Sequence, residues 1–154
     1  MACITIRFIE DRGFVSRAIA QVTNSLFSHV EFGTPEGTWI GAHAGRGVQE
    51  RDANYCYPIR EYIYDLPCTE AQSDAVLKYA RGAIGCPYNY RDILGLLFHA
   101  RRLTTPSRVI CSQFVMDTLL SIGVKPLNVL PGYTHLITPE TLHLSPLLIG
   151  HRRK

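Results

Sequence analysis

Strand and helix patterns are segregated along this chain, and that order constrains its fold more than any other feature. CITIRFIE (3–10) alternates and is rich in isoleucine, as a strand is. GFVSRAIAQVTNSLF (13–27) follows, with Val15, Ala18, Ile19, Val22 and Leu26 on one helical stripe. Four short extended segments come next. SHVEF (28–32) and TWIGAHAG (38–45) flank the turn residues TPEG, so 28–44 reads as a hairpin. GVQERD (47–52) and IREYIYDL (59–66) complete the set. Helical spacing returns only at Thr69, where Gln72 three residues on forms a capping-box pattern and Ala71, Ala75, Val76, Tyr79, Ala80 and Ala83 make the stripe. Gly85 and Pro87 end that helix, YRDILGLLFHARR (90–102) predicts another, and RVICSQFVMDTLLSIG (108–123) leads into a third that stops at Gly123. Strands gathered ahead of helices predict an α+β fold, an antiparallel sheet packed against helices.

A chain of 154 residues holds one domain with a substantial core. We assign residues 1–150 to it and read 151–154, the end of GHRRK, as a frayed basic tail. The net charge of +3 is mild, and no basic stripe interleaved with aromatics points to nucleic acid. Five cysteines (Cys3, Cys56, Cys68, Cys86, Cys111) are an odd number without a CxxC pair, which argues against a disulfide framework or a cysteine-rich zinc site. The N-terminal stretch carries charges where an export signal needs an apolar run, and ILGLLF is too short to span a bilayer. These features predict a cytoplasmic protein with reduced thiols and no integral membrane segment.

Cys111 stands where the third helix begins. Unpaired N–H groups and the positive end of the helix dipole would face its sulfur, an arrangement that favours a thiolate and can hold an oxyanion. Free cysteine is also among the most buried residue types, so packing competes with chemistry as an explanation. A nucleophilic thiol needs a base. Among His29, His43, His99, His135, His143 and His151, only His29 and His43 lie on the rigid strands of the hairpin. A third group should orient the ring of the base. Glu31 shares a strand face with His29, and His43 lies on the partner strand. A two-residue turn at Pro35–Glu36 would oppose His29 to Ala42, whereas one more turn residue would oppose it to His43. The sequence leaves that register open. His29, Glu31 and His43 could also ligate zinc, but HExxH and close cysteine pairs are absent, so no metal is expected.

SHVEF, WIGAHAGRGVQERD, GCPYNYRDILGLLF, VICSQFV and TPETLHLSP together, in this order and over nearly the whole chain, resemble the circularly permuted branch of the NlpC-type papain-like cysteine hydrolases, the YiiX-like proteins. In that family the histidine strand precedes the cysteine helix. The resemblance implies a permuted papain-like fold, Cys111 as nucleophile, His29 as base and Tyr88 near the cleft. The family often has an acid in a strand segment like VIEA. Here the segment is WIGA, with Gly41 at that place, which leaves His43 or Glu31 to serve as third member. The implied activity is hydrolysis of a peptide amide, such as a cell-wall peptide bond, or of a lipid acyl bond, without a cofactor. The alternative is a non-catalytic peptide- or lipid-binding module of the same fold, part of a phage-derived assembly.

Overall fold

The computed structural model describes residues 2–13, 17, 21, 25–88, 110–130 and 132–153, with 151–153 described through their backbone. The helix expected over 13–27 falls largely outside these residues. The one expected over 90–102, with His99, falls wholly outside them.

Six strands form one sheet: β1 (Ala2–Glu10), β2 (His29–Gly33), β3 (Trp39–His43), β4 (Gly47–Arg51), β5 (Arg60–Cys68) and β6 (Ile149–Arg153). Their spatial order is β4-β3-β2-β1-β5-β6 and every neighbouring pair is antiparallel. The helices are α1 (Glu70–Gly82), α2 (Cys111–Ser121) and the short α3 (Pro139–His143), with a 3₁₀ turn at Thr134–Leu136. The expected α+β class, with an antiparallel sheet against helices, is the observed one.

Alternation along the central strands sends Ile6, Phe8, Val30, Phe32, Ile40 and Ala42 to one face, where all six are fully buried. Helix α1 packs there against β1, and α2 against β2 and β3. Burying each larger side chain of this set stabilises the fold by roughly 1.5–3 kcal/mol. Helix α1 begins with the expected capping box: the Thr69 hydroxyl accepts from Gln72 N–H at 3.1 Å, and Gln72 Oε1 accepts from Thr69 N–H at 3.0 Å. Helix α2 carries Phe114, Val115, Met116 and Leu119 into the core. It ends in a Schellman motif, in which Val124 N–H reaches Leu119 O and Gly123, at φ 80°, donates to Leu120 O.

One expectation needs correction. The basic C-terminal segment does not fray but forms β6, pairing Tyr62↔Arg153 and Ile63↔Arg152. Strand β5 is nine residues long and would otherwise leave a bare edge of unpaired N–H and C=O groups. A domain boundary at 150 therefore falls inside a strand. The stretch after Gly123 contains α3, capped by the Thr138 hydroxyl with Pro139 in its first turn.

The second face of the sheet departs from simple alternation. Arg7 and Glu31, directly opposed on β1 and β2, are 2% and 0% exposed. Polar residues on a strand face usually meet water; here the β4–β5 connection, carrying Tyr55 and Cys56, reaches that pair instead.

Candidate functional site

The hairpin sets the site. Phe32 pairs with Ile40 and Gly33 with Trp39. Gly37, at φ 81°, donates to Thr34 O, and Thr34 N–H closes the loop on Thr38 O. This is the three-residue connection, with its glycine in the left-handed conformation that such loops demand. Continued along the strands, the register opposes His29 to His43, and their ring centroids lie 4.6 Å apart.

Glu31 lies between them. Its Oε2 is 3.3 Å from His29 Nε2 and 3.9 Å from His43 Nε2. His29 Nε2 is thus paired with the carboxylate by charge, whereas His43 Nε2 is buried beyond hydrogen-bond distance of it and has no hydrogen-bond partner among the described residues. The other oxygen, Oε1, accepts from Arg7 Nε at 2.6 Å, and Arg7 Nη2 is also in contact with it. Tyr55 donates its hydroxyl to Oε2 at 3.0 Å. Arg7 in turn bonds Glu61 at 3.1 Å and lies over the Trp39 ring at 4.1 Å. The carboxylate is thus gripped from two sides, and its free direction is towards the two histidines.

Gly41 explains how Glu31 fits. It lies on the strand next to β2, and a Cβ built there would come within 2.9 Å of Glu31 Cβ and 3.1 Å of His29 Nε2. The acid that the resemblance leads one to seek at 41 is absent, while a carboxylate from the adjacent strand occupies the space over that glycine.

Cys111 is the first residue of α2, and the residue before it, Ile110, is an N-cap without a side-chain hydrogen bond. Its sulfur is 4.0 Å from Ser28 O, beside the start of β2, and close enough to the His29 ring to raise that ring's pKa. Cys111 is 3% exposed. Ser112, the next residue, anchors the helix start by donating to Ile137 O.

The electrostatics separate the two histidines. Burial alone would lower the pKa of His29, but Cys111 and Glu31 outweigh it and raise it to about 10. His43 is buried as well, feels the positive charge of His29, and is pushed down to about 3 despite Glu31. At neutral pH His29 is therefore the charged ring and His43 the neutral one. Burial would raise the pKa of Glu31, but His29 and Arg7 more than reverse this and hold the carboxyl below its usual range. Burial, with the adjacent Glu31 carboxylate, pushes the Tyr55 hydroxyl upward, which keeps it a donor.

The structure thus gathers Cys111, His29, Glu31 and His43, with Glu31 Oε2 3.3 Å from His29 Nε2 and the His43 ring beside that of His29. Tyr88, 6% exposed, lies in the same buried cluster as Cys111. His135 lies in the 3₁₀ turn, and His143 packs among aromatic rings with its Nε2 2.7 Å from the Tyr64 hydroxyl. Sequence reasoning missed Arg7 and Tyr55. Arg7 had a signal, a lone cation inside an isoleucine- and phenylalanine-rich strand. Tyr55 had none, because a loop tyrosine carries no periodicity.

No protein-family model matches the chain, and no curated protein matches it in sequence. Among solved structures it is similar to the metalloprotein yiiX from Escherichia coli O157:H7, at a TM-score of 0.70 and 14% identity over 96% of this chain and 94% of that one. At that identity the likeness is one of fold: the chain has a YiiX-like fold.

Proposed function

We propose that this chain is a cysteine hydrolase of the permuted, NlpC-type papain-like kind, with Cys111 as nucleophile, His29 as its proton partner and Glu31 as the group that orients His29. The observation that carries this reading is the buried succession Cys111–His29–Glu31, delivered by the start of a helix and one strand. Nε2 of His29 faces the carboxylate, so Nδ1 is the nitrogen left to serve the thiol.

The Cys111 thiolate attacks the carbonyl carbon of an amide or acyl ester. A C–S bond forms, and the carbonyl oxygen takes negative charge beside the unpaired N–H groups at the start of α2. Collapse of that intermediate expels the amine or alcohol, which takes the proton of the His29 imidazolium. Water then attacks the thioester, losing a proton to His29, and releases the acid with the thiolate and imidazolium restored. The substrate class on this reading is a peptide amide or a lipid acyl bond, with Tyr88 as a contact deep in the cleft.

Alkylation tests it. Iodoacetamide at pH 7, followed by peptide mass spectrometry, should modify Cys111 faster than Cys68 or Cys86. His29→Ala should slow Cys111 by roughly tenfold or more, since the thiolate loses its counter-charge. Equal rates for all three cysteines, with no effect of His29→Ala, would sink the reading. A second reading, a non-catalytic binding module of the same fold, is favoured by the low exposure of Cys111 and predicts that very outcome.

A further inference from the structure

The catalytic reading pairs His29 Nε2 with Glu31 and leaves one neighbouring atom unexplained. His43 Nε2 is buried, has no hydrogen-bond partner among the described residues, and stands 3.9 Å from the same Glu31 Oε2 that His29 Nε2 meets at 3.3 Å. A buried imidazole nitrogen left unpaired beside a carboxylate oxygen is costly unless something else meets it.

One ligand atom from each of His29, Glu31 and His43 can be chosen so that all lie within 4.8 Å of one another. Ligands of a tetrahedral zinc ion, at 2.0–2.2 Å from the metal, stand about 3.3 Å apart. Oε2 and His29 Nε2 are at that separation, and His43 Nε2, at 3.9 Å, is about half an ångström wide of it. The supporting contacts are also those of a ligating carboxylate: its second oxygen is fixed by Arg7, and a hydroxyl, that of Tyr55, bonds the first. Two imidazoles and one carboxylate exclude magnesium and calcium, which want oxygen, and suit zinc and its first-row neighbours. The charge balance sets a limit, since Arg7 already neutralises much of Glu31 and Arg51 is felt at His43. That favours moderate affinity.

We propose that His29 Nε2, His43 Nε2 and Glu31 Oε2 form a binding site for a divalent zinc-class cation, and that occupancy switches off the Cys111 chemistry. The site itself does not depend on the hydrolase reading; only the switching does. An imidazole coordinated through Nε2 keeps its remaining proton on Nδ1. It can no longer take the proton of the Cys111 thiol or of the attacking water, and it is a poor donor to the leaving group. A bound ion would supply Lewis-acid chemistry of its own, but no step above runs through it.

The test uses the whole chain, freed of metal with a chelator. Equilibrium dialysis against ZnCl2 should give one zinc bound per chain. Co2+ in its place should show the visible bands of a tetrahedral nitrogen/oxygen site without thiolate charge transfer. Cys111→Ser should retain the zinc, whereas Glu31→Gln and His43→Gln should each weaken it by roughly tenfold or more. Zinc should slow iodoacetamide labelling of Cys111 several-fold, and a chelator should restore it. Should a variant not fold, the Co2+ spectrum of the wild-type chain decides. Zinc lost in Cys111→Ser, retained in both other variants, or absent from the wild type would overturn the site. Zinc bound with Cys111 labelling unchanged would overturn the switch. Absence of zinc with rapid, His29-dependent labelling of Cys111 removes the metal proposal and leaves the hydrolase standing. Zinc bound at the site, with Cys111 unlabelled even after the metal is removed, does the reverse, keeping the site and removing the hydrolase.

Discussion

The Glu31 carboxylate lies across Gly41, close enough that a methyl group at 41 would press on Glu31 Cβ at 2.9 Å and on His29 Nε2 at 3.1 Å. The glycine removes no chemistry from the site; it makes the room in which the chemistry sits. Gly41→Ala should therefore cost about 1–3 kcal/mol in chemical denaturation, the usual range for overpacking a filled region. It should also slow Cys111 alkylation, although no functional group has been deleted. A variant as stable and as reactive as the parent would show that the space over residue 41 is not used in this way.

Arg7 and Glu31 are a buried pair, and removing one member strands the other. Glu31→Gln should destabilise by about 3–5 kcal/mol, because the Arg7 guanidinium is left without its main counter-charge. Arg7→Met combined with Glu31→Leu should recover part of that loss while leaving Cys111 slow to alkylate. A double-mutant cycle in urea, read beside the labelling rate, separates stability from function. Additive losses in the cycle would mean that the two side chains are not coupled.

His43 gives the acid limb of the stability curve a specific cause. Its pKa is about 3 in the folded chain and near 6.5 when unfolded. A group with a depressed folded pKa stabilises above its unfolded value, and that contribution is lost as pH falls. Between pH 6.5 and 3 the unfolded chain binds a proton at His43 that the folded chain refuses. With a chelator present, the melting temperature should fall over this window, and His43→Gln should lose clearly less of it. Parallel curves for the two proteins would remove His43 as the cause.

Tyr55 tests whether the carboxylate must be held from both sides. Tyr55→Phe deletes one hydroxyl and leaves the ring against His43. Loss of a hydrogen bond to a charged acceptor should cost about 1.5–3 kcal/mol. Labelling of Cys111 should slow if that bond helps aim Glu31 at His29. An unchanged rate with reduced stability would make Tyr55 a cover for the site and nothing more.

Thr69→Ala serves as the control. It breaks the capping box of α1, remote from Cys111, and should cost about 1 kcal/mol without altering the labelling rate. A change in rate would mean that labelling follows general loosening of the fold, and every comparison above would need that correction.

What the sequence determined by itself was local. The Ile-rich alternation of 3–10, the Thr69–Gln72 box, the helix opening at Cys111 and the α+β class can be read there, because each depends on neighbours within a few residues. His29, Glu31, His43 and Cys111 could be named as candidates for the same reason: their residue types and strand or helix positions are local facts. Only the tertiary structure decided which of them meet. One extra residue in the hairpin loop brings His29 opposite His43, and a strand slip of one position would have turned the histidine away. Arg7 and Tyr55 hold Glu31 from 24 positions away on either side, and β6 closes on a strand more than 80 residues earlier. Such pairings are set by the closure of the whole sheet and by the cost of burying an unpaired charge, neither of which leaves a periodic mark on the chain.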